Sequence, residues 1–326
     1  MDSSASEIVF TETGCSFCDR AKVSLEEIKD LEMPQIKGKQ YDCLIGLSGG
    51  VDSSYLLHKV VEKGLRPMCF SVDNGWNDPR ADENIMRLVE GLRVPFFRYV
   101  LDLPKFKTLQ SAFLMAGQKN VEIATDHVLM AMSYELADKY GIKWILSGGN
   151  VATESIMPES WGYQPRDLVH IKDVYRKMIG KELKGLPVCG LLKWNWYKWV
   201  KGIKTFYPLD VWGYNRQEAI HLLESKYGYM DYGEKHGENV WTKWFQNFYL
   251  YEKFGIDKRK AHLSSMIVSG HMTRDDALRE LARKPVYPEL GIERRVMKYP
   301  IRNYWEFRTD EKLFKFISKV VKLCKS

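Results

Sequence analysis

Seven residues, Ser48-Gly49-Gly50-Val51-Asp52-Ser53-Ser54, combine two adjacent glycines, three hydroxyls and one carboxylate. Paired glycines let a backbone turn tightly and leave its N–H groups open to a ligand. The apolar run DCLIGL precedes them and the helix-like SSYLLHKVVEKG follows. A helix N-terminus just past a parallel strand attracts an anion, and Ser48, Ser53 and Ser54 add hydroxyl donors. The chemistry is that of a phosphate cradle. It is neither of the two commonest cradles: no Lys-Ser/Thr pair closes the loop, and the third glycine of a dinucleotide loop is missing. Asp52 inside a phosphate loop makes sense where a magnesium ion shares the site.

Alternating elements must position this loop. After DCLIGL and its helix come a strand in RPMCFSVDNG, a helix in DPRADENIMRLVEGL and a strand in PFFRYVLD. Helical stretches follow near 104–117 and 125–140, then a strand in IKWILSGGN. This alternation predicts an α/β fold with a doubly wound parallel sheet. Three regions are expected: a small N-terminal cysteine segment (1–40), an α/β domain carrying the phosphate loop (41–155), and a mainly helical, aromatic-rich region (156–326) with no further parallel strand. The rings of WNWYKWVKGIKTFYPLDVWGY and VWTKWFQNFYLYEKFG are expected to pack helices onto the sheet. Thr273 and Asp276 form a capping-box pattern, which is structural.

Composition narrows the class. The chain has 326 residues, 45% of them hydrophobic, enough for a substantial core. Its 49 basic and 42 acidic residues are interspersed, for a net charge of +7. Short basic clusters at 257–260 and 293–295 do not make a nucleic-acid-binding tail, though a site for anionic small molecules would gain from them. No apolar run reaches the roughly 20 residues of a membrane span. The N-terminus lacks a secretory pattern, and the cysteines lack that of a disulfide framework. A cytoplasmic setting is expected.

SGGVDSS resembles the pyrophosphate loop of the ATP-pyrophosphatase (PP-loop) superfamily, and Ser48 to Ser53 fit its S-G-G-x-D-S pattern without departure. Three stretches narrow the resemblance: IVFTETGCSFCDRA (8–21), VKGIKTFYPLDVWGYNRQEAI (200–220) and the long run from Asp231 to Leu281. Together they are similar to the N-acetyl sugar amidotransferases of the WbpG and PseA type, which serve lipopolysaccharide O-antigen and flagellin glycans. The resemblance implies that ATP adenylates the acetamido oxygen of a nucleotide-activated sugar. Ammonia from a separate class I glutaminase then displaces AMP to leave an acetamidino group. No segment supplies a fused glutaminase, and Asp2 stands where a class II enzyme would carry its cysteine.

The resemblance also distributes roles. Ser48, Gly49, Gly50, Ser53 and Ser54 would hold the β- and γ-phosphates, with Asp52 on magnesium. Val72, Asp73 and Asn74 would read the adenosine, and Gly148, Gly149 and Asn150 would close near the α-phosphate. Glu154 would ligate magnesium or accept a proton from ammonia. His236, by its ordinary pKa, is the general-base candidate. Glu238 shares a helical face with Thr242. Lys258 and Arg259 lie beside His262, and Arg259 is suited to a carboxylate or diphosphate.

Cys15 and Cys18 have zinc-ligand spacing, but one such pair makes half a structural site. The resemblance implies an earlier pair that this sequence does not contain. Either the chain begins further upstream, or the pair borrows a distant ligand such as Cys189, or it holds no zinc. Two rivals remain open: a tRNA-modifying PP-loop enzyme, for which Cys189 is the one candidate thiol, and a non-catalytic ATP-binding sensor.

Overall fold

The computed structural model of the chain describes residues 1–323 apart from 13, 163 and 234–236. A small hairpin opens it, β1 (Phe10–Thr11) and β2 (Gly14–Cys15), followed by helix α1 (Ser16–Lys29). Then come β3 (Cys43–Gly46), α2 (Val51–Glu62), β4 (Pro67–Asp73), α3 (Pro79–Leu92), β5 (Phe96–Val100), α4 (Leu103–Met115), α5 (Ile123–Lys139), β6 (Trp144–Leu146) and α6 (Val151–Glu154). The remainder holds α7 (Leu168–Ile179), α8 (Leu191–Asn195), β7 (Lys204–Phe206), α9 (Pro208–Trp212), α10 (Arg216–Tyr227), α11 (Val240–Trp244), α12 (Tyr251–Phe254), α13 (Arg259–Val268), α14 (Arg274–Ala282), α15 (Glu293–Lys298) and α16 (Glu311–Leu323).

Strands β5-β4-β3-β6-β7 form one parallel sheet in that order. Its fifth strand corrects the expectation that no parallel strand lies beyond the fourth: Lys204–Phe206 pairs with Trp144–Leu146 at the edge. Three residues, two of them exposed, carry too little apolar pattern to be seen in sequence.

Period-two alternation divides the side chains between the faces. Cys43, Ile45 and Cys69 pack under Leu56, Leu57 and Val60 of α2 and Ile85, Leu88 and Val89 of α3. Leu44, Met68, Phe70 and Val72 pack on the other face, under Phe106 and Phe113 of α4 and Val128 and Met132 of α5. Helices thus cover both faces, as a doubly wound sheet requires. The expected aromatic packing holds for Trp194, Tyr197, Trp241, Trp244, Phe245 and Tyr249, all buried. Leu192, Trp196, Trp199 and Val200 instead stand exposed. Thr273 caps α14, accepting from the Asp276 amide at 3.1 Å. Among the described residues no helix is long and apolar enough to cross a membrane.

Asp42 anchors the strand that carries the glycine loop. Its carboxylate accepts from the Gly38 amide at 2.9 Å and from the Arg66 amide and Nε at 2.9 and 3.0 Å. Its own amide donates to the Arg66 carbonyl at 2.8 Å. The hydrogen-bonded Arg66 guanidinium holds the Asp42 carboxyl down to about 2. Asp42→Ala leaves these donors unsatisfied and is expected to cost about 1–3 kcal/mol in urea unfolding. A depressed folded pKa stabilises above the ordinary carboxylate value, and that stabilisation disappears as pH falls toward 2. Asp42→Asn is therefore expected to flatten the loss of stability between about pH 4 and 2.

Candidate active site

The chain winds outward from β3 through β4 to β5, then returns to place β6 on the other side of β3. Crevices form at such switch points, beyond the strands' C-terminal ends. Here both glycine loops meet. The Leu47 amide donates to the Phe70 carbonyl at 2.8 Å, and the Ser147 amide to the Phe206 carbonyl at 3.0 Å, which pins each loop to a neighbouring strand.

The first loop is internally braced. The Gly50 amide donates to Ser48 Oγ at 3.2 Å, and the Ser48 amide donates to Ser53 Oγ at 3.3 Å. Gly49 has φ +82°, and a Cβ there would lie 2.6 Å from the Ala81 carbonyl oxygen, so only glycine fits. Gly148 approaches the start of α2 so closely that a Cβ would lie 2.9 Å from the Asp52 carbonyl carbon and the Ser53 nitrogen. Gly50, the cap of α2, makes no side-chain cap, so the dipole end of that helix faces the crevice.

The two loops enclose a cavity of about 300 Å3. Ser48, Gly50, Asp52, Ser53, Gly148, Gly149, Glu154 and Glu238, all expected at the site, line it. Others stand apart. Ser54 is 1% exposed and packs behind the loop. Gly49 contributes its carbonyl, which accepts from the Tyr232 hydroxyl at 3.2 Å. Asn150 caps α6, accepting from the Thr153 amide at 3.0 Å. Val72, Asp73 and Asn74 stand at the end of β4 outside this cavity: Val72 is in the core, and Asp73 and Asn74 accept from the Gly75 and Trp76 amides. His236 falls outside the described residues.

Ser147 of the second glycine loop also lines the cavity, and Thr153, Arg216, Tyr229 and Tyr232, which the sequence reading missed, complete the walls. That reading also missed Tyr214, whose hydroxyl donates to Asp52 Oδ1. Burial, then the Asp52 charge, pushes the Tyr214 hydroxyl up, so it remains a donor. The Tyr229 hydroxyl is buried without a hydrogen-bond partner while its ring lines the cavity. An orphaned donor of this kind fits a missing phosphate oxygen. Nothing local marks these tyrosines, because α10 and its flanking turns bring them in from far along the chain.

A second cavity of about 480 Å3 shares Thr153 and Arg216 with the first. Lys258, Arg259, His262, His271 and Arg283 line it, with one carboxylate, Glu280, among the described residues. The Arg259 guanidinium is already engaged with Asp257 Oδ2 at 2.7 Å and with the Arg283 carbonyl at 2.9 Å. His262 Nδ1 lies 3.3 Å from the Thr153 carbonyl oxygen. The arrangement favours an anionic ligand next to the phosphate cavity.

The cysteine pair offers two of the four ligands of a structural zinc. Cys15 and Cys18 lie with their sulfurs 3.6 Å apart, and burial and Cys15 push the Cys18 thiol up to about 11. Among the described residues no third His, Cys, Asp or Glu joins them in a metal-binding group. Cys189, the proposed distant ligand, lies elsewhere: its amide donates to His127 Nε2 at 3.1 Å. Burial pushes its thiol up to about 11, which leaves it protonated and unreactive at neutral pH.

The parallel sheet and the Ser48–Ser53 loop at the end of its central strand make an α/β fold with a phosphate-type loop at its switch point, the arrangement the resemblance to PP-loop proteins implies. Further along, residues 238–311 match the family described as LPS biosynthesis protein WbpG-like, C-terminal domain. No curated protein matches the sequence. The structure is similar to the NH3-dependent NAD synthetase of Campylobacter jejuni, at 14% identity over 84% of this chain and 97% of that one, with a TM-score of 0.34. It is also similar to the NMN synthetase of Francisella tularensis, at 18% identity over 68% and 90%, with a TM-score of 0.32. The U34-tRNA thiolase NcsA of Methanococcus maripaludis is similar at 13% identity over 90% of each chain, with a TM-score of 0.36.

Gly148→Ala tests the contact between the loops. Forcing a methyl against the α2 backbone costs on the order of 1–3 kcal/mol, so ATP binding by calorimetry is expected to weaken about tenfold or more. The circular dichroism spectrum should stay that of the folded protein.

Proposed function

We propose that the protein is an ATP-dependent, AMP-forming amidotransferase that converts the acetamido group of a nucleotide-activated N-acetyl sugar into an acetamidino group. The observation that carries this reading is the shared wall of the two cavities. A phosphate cradle opens onto a basic cavity whose Lys258, Arg259 and His262 belong to the WbpG-like domain.

In this reading the helix α2 N-terminus, the Gly50 region and the Tyr229 hydroxyl hold the β- and γ-phosphates. Arg216, ion-paired with Asp231 at 3.2 Å, lies between phosphate and acceptor. Asp52 and Glu154 would hold magnesium, which needs only one or two carboxylates beside phosphate and water. Bound there, it would neutralise phosphate charge. The basic cavity holds the sugar's anionic carrier and turns its acetamido oxygen toward the α-phosphorus. An amide oxygen is a poor leaving group until it is phosphorylated. Attack on the α-phosphorus releases pyrophosphate and leaves an adenylated imidate. Ammonia adds to the imidate carbon, the C–O bond breaks, and AMP leaves. Free ammonium or a separate class I glutaminase supplies the nitrogen.

The test incubates the protein with magnesium-ATP, ammonium and a panel of nucleotide-activated acetamido sugars. The expected result is AMP in step with exchange of one amide oxygen for an imino nitrogen in the sugar's mass. AMP with bulk tRNA and with no sugar would replace this reading with a tRNA-modifying one. Bound ATP that never yields AMP would make the protein a sensor. Asp52→Asn is expected to lower AMP formation by about a hundredfold or more, the scale on which single groups stabilise developing charge.

A further inference from the structure

One outward face of the chain is neither used by the two cavities nor covered by the fold. Leu192, Trp196, Trp199 and Val200 are 86%, 40%, 56% and 70% exposed. They belong to α8 and to the π-helical turn Trp196–Val200 that continues it. Their spacing of i, i+4, i+7 and i+8 puts them on one side of the helix. Trp194 and Tyr197, on the opposite side, are buried. Both pack on Tyr134 of α5, with ring centroids 4.8 and 5.7 Å from it. The helix is tied to α5 at each end. Before its start the Cys189 amide donates to His127 Nε2, and at its finish Lys201 pairs with Asp138 at 2.6 Å. The apolar stripe is therefore held outward on a fixed support. None of its four residues lines the phosphate cavity or the basic one.

Charge sets this stripe apart. Basic and acidic residues are interspersed along the chain as a whole, but residues 191–204 hold four lysines and no Asp or Glu. By helical spacing Lys193 and Lys198 fall on the two edges of the stripe. Lys201 lies over the Trp196 ring, 4.5 Å from its centroid. Lys204, exposed, opens β7, and Lys143 reaches the same corner by donating to the Lys201 carbonyl at 2.6 Å. The acids that reach this face come from α5: Asp138 is paired with Lys201, and the Glu135 charge acts on Lys193.

These features choose among occupants. A second copy of this chain would set lysines against lysines. A nucleic acid would stack its bases on aromatic rings, but the most exposed side chains here are the aliphatic Leu192 and Val200. A protein interface is enriched in Arg and depleted in Lys, the reverse of this rim. Trp, Leu and Val above a lysine rim suit a lipid surface. Indole rings settle at the headgroup level, aliphatic side chains reach the acyl boundary, and lysine stems carry their charge back to anionic headgroups. We propose that this helix docks the protein on an anionic phospholipid bilayer, lying in the interface rather than crossing it. Lys143 and Lys204 stand at the N-terminal ends of β6 and β7, whereas the glycine loops leave the C-terminal ends. A docked protein therefore keeps its crevice in solution.

Sedimentation with vesicles tests this. The protein should bind vesicles of mixed phosphatidylcholine and phosphatidylglycerol, and not vesicles of phosphatidylcholine alone. Salt at about 0.5 M, which screens charge beyond a few ångströms, should release most of it. Each lysine near an anionic surface contributes about fivefold, so Lys198→Gln combined with Lys204→Gln is expected to lower binding about twenty-five-fold. Leu192→Ser and Trp199→Ser, made separately at exposed positions, should each lower it about tenfold or more. Circular dichroism and ATP binding should stay unchanged in all these variants. Equal binding to both kinds of vesicle, or undiminished binding by the variants, would overturn the proposal. Failure to bind either vesicle would overturn it too. A dimer that Trp199→Ser dissolves, or single-stranded RNA that it releases, would then name the occupant instead.

Discussion

Everything at the site depends on how closely two backbones can approach. Gly148, at the end of β6, rests against the peptide joining Asp52 to Ser53, where a methyl would collide at 2.9 Å. That approach is open only because β3 and β6 are neighbours whose loops leave the sheet in the same direction. The phosphate cavity is the space left between them. A side chain at Gly148 would move α2, and with it the helix N-terminus that gives the cavity its charge preference. Packing and electrostatics are thus coupled at one van der Waals contact.

Around that contact the protein builds its walls from distant parts of the chain. Tyr214 and Tyr229 flank α10, Tyr232 follows, and all three turn hydroxyls toward the loop region. Their apolar rings belong to, or pack against, the same core that holds Leu56 and Val60 of α2. One set of side chains therefore both supports the loop helix and supplies donors at its N-terminus. Asn84 of α3 strengthens this wall, donating to the Met230 carbonyl at 2.9 Å and to the Tyr232 hydroxyl at 3.0 Å.

Charge is partitioned with equal care. The phosphate cavity mixes carboxylates with donors, as a magnesium–phosphate site would, and among the described residues the charged side chains of the adjoining cavity are mostly cationic.

The sequence by itself determined the sheet's first four strands, the glycine loops and the kind of ligand they suit. Those features are local: an apolar run, two glycines and a helix start need only neighbouring residues to be recognised. Ser48, Gly50, Asp52, Ser53, Gly148 and Gly149 were legible for that reason, and Glu154 and Glu238 through family resemblance. The edge strand Lys204–Phe206 was not, because three half-exposed residues become a strand only by pairing with β6. Nor were Tyr214, Tyr229 or Arg216, whose chemistry depends on what faces them. Tyr214 looks like any core tyrosine until a residue 162 positions away accepts its proton. Burial and long-range juxtaposition are properties of the folded chain, and only the tertiary structure decided them.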